Sequence, residues 1–309
     1  MTEIQKPHES AEVTETEVAI SASKEPLRTP LYRAMNAERY ARQSRIKEIE
    51  EQTGSKLLCY VSGPLASLTR DDVLPLFDLL HPIPAGSNID LLLHTPGGEI
   101  DAAEKLANII RRHVGDSARF RVIVPDYAKS AGTLIALAAD TIVMSDSSEL
   151  GPIDPQLPLP DGNGAYALRP AQSYIDGYDK LVQVVNANPE AAAFTRMLDK
   201  YDPTLLEICR KVIERSSKLG EELLRRGMFR NGGNFTAAAA NLSNNHFWLE
   251  HSVPIDYLEA KKIGLDVTYL EHTDSLWKQF WALYCEQRLA RNPDDCKLFE
   301  SNYVSIPLS

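Results

Sequence analysis

Two short stretches of the sequence carry residues that could polarise and attack a carbonyl group. The first is HTPGGEID at residues 94–101, where an apolar segment runs into Pro-Gly-Gly and then into a helical pattern. Glycine allows positive φ and close approach of the backbone, so such a turn can aim N–H groups at an anion. The amides of Gly97 and Gly98 are therefore candidate donors to a phosphate, a carboxylate or an oxyanion, although Pro-Gly-Gly is also common turn chemistry.

The second stretch, YAKSAGTLIALAAD at residues 127–140, holds a serine that could act as a nucleophile. Ser130 follows an apolar segment and a short turn, and it begins a predicted helix of small residues. Its hydroxyl would lie near the positive end of that helix, and the amide of Ala131 could donate to an oxyanion. Serine is also a frequent helix N-cap, so this position alone leaves both roles open.

The segments around these two stretches alternate between strand and helix patterns. Short apolar runs, typical of buried strands, occur at 57–62, 89–95, 120–125 and 141–145. Strands separated by helical segments of about 10–15 residues predict an α/β fold around a mostly parallel sheet. The Pro- and Gly-rich tract at 151–170 predicts a long loop or a hairpin.

Composition and pattern divide the chain into five predicted segments. Residues 1–28 are polar and poor in aromatics, which predicts a disordered arm. Residues 29–55 are charged with sparse apolar positions, so we expect an N-terminal helix that is exposed or contacts a partner. The α/β core is expected at 56–170, a helical insertion at 171–250, and C-terminal helices that complete the core at 251–309.

The order of strand, Pro-Gly-Gly, helix, strand, turn, Ser-Ala-Gly, helix and strand resembles the Clp-protease/crotonase superfamily. The tract ELGPIDPQ at residues 149–156 narrows the resemblance to the serine dehydrogenase proteinase family of Clp-class enzymes, relatives of signal peptide peptidase A. The resemblance is good over residues 57–157 and weaker through IDYLEAKKIGL at 255–265. It implies stacked ββα units with an added helical region, and a self-associating homo-oligomer.

The same resemblance implies roles for individual residues but leaves the general base open. It makes Ser130 the nucleophile and places the amides of Gly97 and Ala131 in the oxyanion hole, with Gly98 beside them. In the Clp protease subunit a histidine follows the next strand, whereas the corresponding LGPIDP here contains only Asp154, and an aspartate alone is a poor base for an alkanol.

Two residues could replace the missing base. Lys180 lies 50 residues after Ser130, similar to the spacing in signal peptide peptidases that use a Ser-Lys dyad. His251 lies near the point where Clp proteases place their triad acid, and Asp154 or Glu250 could orient it. The sequence does not decide between Lys180 and His251.

Charge and composition exclude several classes of function. The 309 residues carry a net charge of −10, which disfavours binding to duplex nucleic acid because few phosphates would be neutralised. The four cysteines and the His, Asp and Glu residues show no metal-ligand spacing, so neither a metal nor another cofactor is expected. The N-terminus lacks signal-peptide features and no long apolar run is present, so we expect a cytoplasmic protein without a membrane span.

The main prediction is a serine peptidase that acts without ATP on short or unfolded peptides. No Walker A motif is present, so any partner ATPase would be another chain, and its identity, like that of any scaffold protein, is open. One alternative is a catalytically silent scaffold that keeps the fold and binds a partner protein through its N-terminal helix. Another is a crotonase-like acyl-thioester enzyme, in which the same amides hold an enolate.

Overall fold

The strand-forming runs read from the sequence are strands in the computed structural model, which describes residues 29–160, 165–188, 190, 192–290 and 296–308. The strands are β1 (Lys56–Ser62), β2 (Ile89–His94), β3 (Phe120–Ile123), β4 (Tyr127–Ala128), β5 (Thr141–Met144), β6 (Glu149–Leu150), β7 (Gln156–Pro160), β8 (Tyr166–Pro170), β9 (Val267–Tyr269), β10 (Lys297–Glu300) and β11 (Ser305–Leu308). The helices are α1 (Pro30–Met35), α2 (Ala37–Thr53), α3 (Val73–Leu80), α4 (Ile100–Val114), α5 (Ala131–Leu137), α6 (Ala171–Ala187), α7 (Ala192–Leu198), α8 (Pro203–Arg226), α9 (Phe235–Ser243), α10 (Asn245–Trp248), α11 (Tyr257–Lys262) and α12 (Ser275–Leu289).

The chain divides into two compact units, residues 1–40 and 41–309. In the first unit, α1 begins after Thr29, whose hydroxyl accepts from the Tyr32 amide at 3.3 Å, and Pro30 stands at the first helical position. This start follows the usual N-cap pattern, because proline has no N–H that would need a partner there. The arm predicted at residues 1–28 lies outside the described residues.

Among the described residues of the second unit, seven strands form one sheet in the order β11-β10-β1-β2-β3-β5-β9. The five strands from β1 to β9 in that order are parallel to one another, and β10 and β11 are antiparallel additions at one edge. Alternating βα units produce this parallel arrangement, since a helix must return the chain to the same edge. The predicted α/β class with a mostly parallel sheet is confirmed.

Helices cover both faces of the sheet, and β1 shows how the sequence allows this. Leu58 and Tyr60 point to a core cluster that includes residues of α3, α4 and α5, while Leu57 and Cys59 point to a second cluster with residues of α2 and α12. Successive side chains of a strand alternate between faces, so a continuous apolar run fits a strand that is buried on both sides.

The expectation that the helix at 29–55 is exposed was wrong for α2. Ile46 and Ile49 are fully buried against the sheet, and Arg42 forms a two-pronged ion pair with the buried Glu300 of β10 at 2.9 Å. The partner that neutralises Arg42 lies 258 residues away along the chain, so the local pattern could not reveal it. The strands β9, β10 and β11 were also missed, because only helices were predicted after residue 251.

A second, smaller layer of backbone pairing lies where the core strands end, and it positions the candidate site. The short strands β4 and β6 pair in parallel, and the isolated bridge Thr95↔Ala128 connects β4 to the end of β2. The buried Thr133 hydroxyl lies 2.8 Å from the carbonyl oxygen of Ala128 and 2.9 Å from that of Gly151, and it accepts from the Gly151 amide at 3.0 Å. The turn before α5 is therefore tied directly to the segment that leads to Asp154.

The tract at 151–170 contains the antiparallel hairpin β7–β8, and helices occupy most of the segment that follows. Helix α8 packs closely on the core, since a Cβ on Gly220 would lie 2.8 Å from the Ile153 side chain. The buried Ser216 hydroxyl of α8 also donates to the Ile153 carbonyl at 2.6 Å, and the Ile153 amide donates to Leu242 of α9 at 3.0 Å. The helical segment thus holds the residue that precedes Asp154.

Candidate active site

The Pro-Gly-Gly turn after β2 requires both of its glycines. Gly97 has φ of 101° and Gly98 has φ of 152°, conformations that side chains disfavour. A Cβ on Gly98 would lie 2.1 Å from the carbonyl oxygen of Leu68, which accepts from the Glu99 amide at 2.9 Å. A Cβ on Gly97 would lie 2.9 Å from Cβ of Ser130. The turn therefore contacts Ser130 on one side. On the other side it is held by backbone pairing between Gly98 and Leu68.

The amides around this contact differ in whether they already have an acceptor. The Gly97 N–H donates to the Thr95 hydroxyl oxygen at 3.2 Å. Among the described residues, the amides of Gly98 and Ala131 donate no hydrogen bond. Two free donors at neighbouring turns can receive an oxygen that carries negative charge.

Ser130 occupies a strained position at the start of α5. Its φ of 50° and ψ of −113° place it outside the regions that side chains favour, and within the described ranges only Leu249 shares a positive φ among non-glycine residues. Such conformations cost about 1–3 kcal/mol each and occur often at functional sites. The hydroxyl forms no capping bond with α5, so the alternative role of Ser130 as an ordinary N-cap is not observed.

A histidine and an aspartate form a hydrogen-bonded pair near this turn. Nδ1 of His251 lies 2.8 Å from Oδ1 of Asp154, and the side chains of His251 and Asp154 are only 17% and 4% exposed. Oδ2 of the same carboxylate accepts from Nδ2 of Asn245 at 3.0 Å. A carboxylate can only accept, so Nδ1 of His251 carries the proton and Nε2 presents a lone pair.

One cavity of about 610 Å³ brings the two sets of residues together. Its lining includes Gly97, Gly98, Ser130 and His251, with Leu134 and Ile153 among its apolar side chains. Within the described residues, Ser130 and His251 form no hydrogen bond with each other. Contacts between a nucleophile and its base often tighten only when substrate is bound, so a shared cavity is the relevant observation.

Charged side chains stand at one side of this cavity. Arg215 of α8 pairs with Asp101 at 2.6 Å and with Glu104 at 3.3 Å, both on α4. Asp101 and Arg215 also line the cavity, as does Glu99. Because Arg215 is neutralised by two carboxylates, the described residues on this side of the cavity offer no unpaired cation for an anionic substrate group.

The lysines near the site are placed elsewhere. Lys180 is exposed on α6 and is not part of the cavity lining. Lys129, which precedes the nucleophile candidate, pairs with Glu149 at 2.7 Å and donates to the Leu150 carbonyl at 3.1 Å. Glu250 is exposed, so the carboxylate on His251 is that of Asp154.

Sequence reasoning missed Asn245 and Thr133, the two buried polar residues that connect the site to its surroundings. Asn245 stands in the polar run LSNNH, where an asparagine is typical of a helix cap, and nothing local marks it as the partner of a distant carboxylate. Among the described residues, no group of His, Cys, Asp and Glu could hold a metal ion. None of the helices in the described ranges combines the length and apolar character needed to cross a membrane.

Comparison with known proteins places the chain among peptidases. The model of the ClpP-like SDH-type serine proteinases matches residues 28–274. Uncharacterized protein MJ0137 of Methanocaldococcus jannaschii is 34% identical over 200 residues, which cover 65% of this chain and 60% of that protein. Uncharacterized protein MJ1495 of the same organism is 30% identical over 234 residues, 72% of this chain and 70% of that protein. The chain thus spans about 60% of the length of MJ0137.

Solved structures that match part of the chain include two mutants of 1510-N, described as a membrane-bound stomatin-specific protease. A serine-to-alanine mutant is 17% identical with a TM-score of 0.44, covering 73% of this chain and 85% of that one. A lysine-to-alanine mutant in complex with a substrate peptide is 18% identical with a TM-score of 0.36, covering 73% and 94%. The family assignment rests on the sequence match, which confirms the resemblance read from the motifs. The chain belongs to the ClpP-like SDH-type serine proteinases.

Proposed function

We propose that this chain hydrolyses peptide bonds with Ser130 as nucleophile, His251 as general base and Asp154 as the acid that orients the base. The observation that carries the proposal is the hydrogen bond between the buried Asp154 and His251, which lines the same cavity as a serine held in a strained backbone conformation. Membership of a serine proteinase family supports peptide hydrolysis as the reaction class.

The proton path follows from the tautomer of His251. Asp154 accepts from Nδ1, so the Nε2 lone pair is available to take the Ser130 proton as Oγ attacks the peptide carbonyl carbon. The same proton then passes to the leaving amine, which departs as the peptide C–N bond breaks and leaves the acyl group bound to Ser130 as an ester. Water, deprotonated by His251, hydrolyses the ester and restores Ser130. Hydrolysis without ATP stays a prediction.

We assign the oxyanion hole to the amides of Gly98 and Ala131. Both amides lack an acceptor within the described residues, whereas the Gly97 amide is already bonded to Thr95. An oxyanion at Gly97 would have to displace that bond, and one at Gly98 would not. Each donor of this kind is worth about 10²–10³ in rate. Gly97 then has a steric role. Because it lacks a side chain, the Pro-Gly-Gly turn can contact the turn that holds Ser130.

The cavity supports a peptide as the substrate. Its apolar part, with Leu68, Ile100, Leu134 and Ile153, suits one apolar side chain beside the scissile bond, and its volume of about 610 Å³ is too small for a folded domain. Short or unfolded peptides fit these limits. Homo-oligomerisation, a partner ATPase and cytoplasmic location stay predictions.

The decisive experiment is labelling of the purified protein with a fluorophosphonate, followed by mass spectrometry of the modified peptide. We expect modification at Ser130, and no modification in Ser130→Ala. Ser67→Ala is the matched control, because Ser67 is an exposed serine that lines the same cavity, and it should label as the unchanged protein does.

Absence of labelling in folded protein would favour the catalytically silent scaffold. Turnover of an acyl-thioester without labelling would favour the crotonase-like reaction. Labelling at a serine other than Ser130 would keep a hydrolase but refute this site.

A further inference from the structure

Two residues of one short segment, 245–251, contact the carboxylate of Asp154, one at each oxygen. Its Oδ1 contacts His251 at 2.8 Å and its Oδ2 accepts from Asn245 at 3.0 Å. Asp154 is 3% exposed and Asn245 is 9% exposed, so little solvent reaches this contact. A buried carboxylate oxygen without a donor is strongly disfavoured, which makes the Asn245 amide the main support on that side.

The backbone around Asn245 is itself held in place. Asn245 opens α10, which is capped by Asn244, whose side-chain oxygen accepts from the Phe247 amide at 3.2 Å. The indole N–H of Trp248 donates to the Asn241 carbonyl at 2.7 Å. The chain then turns through Leu249, where φ is 64°, and reaches His251. Asn245 and His251 therefore contact Asp154 from the two ends of one segment, whose backbone is held by these hydrogen bonds.

We propose that Asn245 is a positioning residue, whose amide fixes the plane of the Asp154 carboxylate so that Oδ1 faces Nδ1 of His251. The inference rests on the proposed function, because it assumes that His251 acts as the base. Without the Asn245 donor, the carboxylate can rotate toward another donor, and His251 loses both its fixed tautomer and its aim at Ser130.

The chemistry of the amide explains why asparagine suits this position. Its NH₂ group donates at any pH and adds no charge beside Asp154. A carboxyl group here would stand about 3 Å from Asp154, and two carboxyls at that distance share one proton. A variant with a carboxyl group could then support Asp154 only while it stays protonated, which creates a signature in the pH dependence.

The test measures the rate of Ser130 labelling by a fluorophosphonate between about pH 5 and 9 for three variants of the full chain. Asn245→Ala should label about tenfold more slowly at every pH, since a hydrogen bond to a charged group is lost. The rate of Asn245→Asp relative to that of the unchanged protein should be highest at low pH and fall as the pH rises, because the two carboxyl groups then no longer share a proton. Asn244→Ala is the matched control, because it removes the α10 cap but leaves the Asn245 side chain in place, and it should slow labelling less than Asn245→Ala does.

Several outcomes would overturn the inference. If Asn245→Ala labels like the unchanged protein while His251→Ala does not label, Asn245 has no positioning role and the proposed function stands. If Asn244→Ala slows labelling as much as Asn245→Ala, the role is structural support of α10. If Asn245→Asp follows the pH profile of the unchanged protein, the contact with Asp154 is not functional, even where Asn245→Ala fails to fold. If every variant, including His251→Ala, still labels, the proposed function itself is refuted.

Discussion

The nucleophile half of the site, residues 94–98 and 127–133, is held mainly by its backbone, whereas the base half, Asp154 with residues 245–251, is held mainly by hydrogen bonds between side chains. In the first half, positive φ angles and strand-like bridges fix Gly98 and Ser130 within consecutive βα units. In the second, the hydrogen bond between Asp154 and His251 spans 97 residues of sequence. Turn chemistry tolerates changes in distant parts of the chain, but a contact between distant side chains can be lost with a single substitution.

The order of acid and base along the chain adds to this contrast. Asp154 stands in LGPIDP, where the Clp protease subunit has its histidine, and His251 lies near the position of the Clp acid. Under the proposed function, the two residue types have exchanged positions around the same cavity. Such an exchange is possible because a triad requires a geometry and not a chain order.

The largest expected effect would come from breaking the base half. His251→Ala should slow fluorophosphonate labelling and peptide hydrolysis by about 10³-fold or more, because the proton of Ser130 then has no acceptor. Lys180→Ala is the control, and it should leave both rates within about twofold, since Lys180 is exposed on α6 and outside the cavity lining. If Lys180→Ala abolishes activity and His251→Ala does not, the base is the lysine and the base half is wrongly assigned.

A smaller effect is expected from breaking the nucleophile half at Gly98. Gly98→Ala should lower the rate about 10²–10³-fold, because the added methyl group meets Leu68 and displaces an oxyanion donor. Gly86→Ala is a matched control, because Gly86 has φ of 79°, no atom within 4 Å of the added carbon, and is not part of the cavity lining. The control should cost stability but not rate, so kcat and the melting temperature must be measured for both variants.

A rate loss in Gly98→Ala no greater than that of Gly86→Ala would remove Gly98 from the oxyanion hole. The Gly97 amide, freed from Thr95, would then be the donor, as the family resemblance alone suggests.

The contrast between the halves also explains what could be read from the sequence. Ser130, Gly97 and Gly98 became candidates because turn chemistry is encoded in neighbouring residues, and the strands up to residue 145 were predicted because their apolar runs are continuous. The ranking of His251 against Lys180 could not be made, since it depends on which helix face meets the cavity. Arg42 and Asn245 were missed for a related physical reason. A polar residue looks exposed until its buried partner, Glu300 or Asp154, is brought to it by the fold.

The smallest expected effect concerns a contact behind the Pro-Gly-Gly turn. The Tyr284 hydroxyl donates to Oδ2 of Asp126 at 2.7 Å, and Nε2 of His94, at the end of β2, faces the same oxygen at 3.4 Å. Burial raises the pKa of the Asp126 carboxyl, but the facing His94 ring and the Tyr284 hydroxyl outweigh it, so this pKa lies below its ordinary value. A depressed pKa in the folded state adds stability above the unfolded pKa, and that stability is lost as the pH falls through the folded pKa.

Tyr284→Phe removes one of these donors, so the folded-state pKa of Asp126 should rise toward its unfolded value. The free energy of unfolding should drop by about 1 kcal/mol near neutral pH, a small value because the Asp126 side chain is 39% exposed. The deficit should shrink as the pH falls below about 4 toward the depressed pKa of the folded state, since Asp126 is protonated in both states only below that pKa. Urea unfolding at neutral pH and at about pH 3.5 measures both quantities, and Tyr303→Phe, at an exposed tyrosine, should change neither. A deficit in the free energy of unfolding that does not depend on pH would mean that Tyr284 stabilises the fold through packing alone. The position of the nucleophile half would then depend on backbone hydrogen bonds and packing, and not on the charge of Asp126.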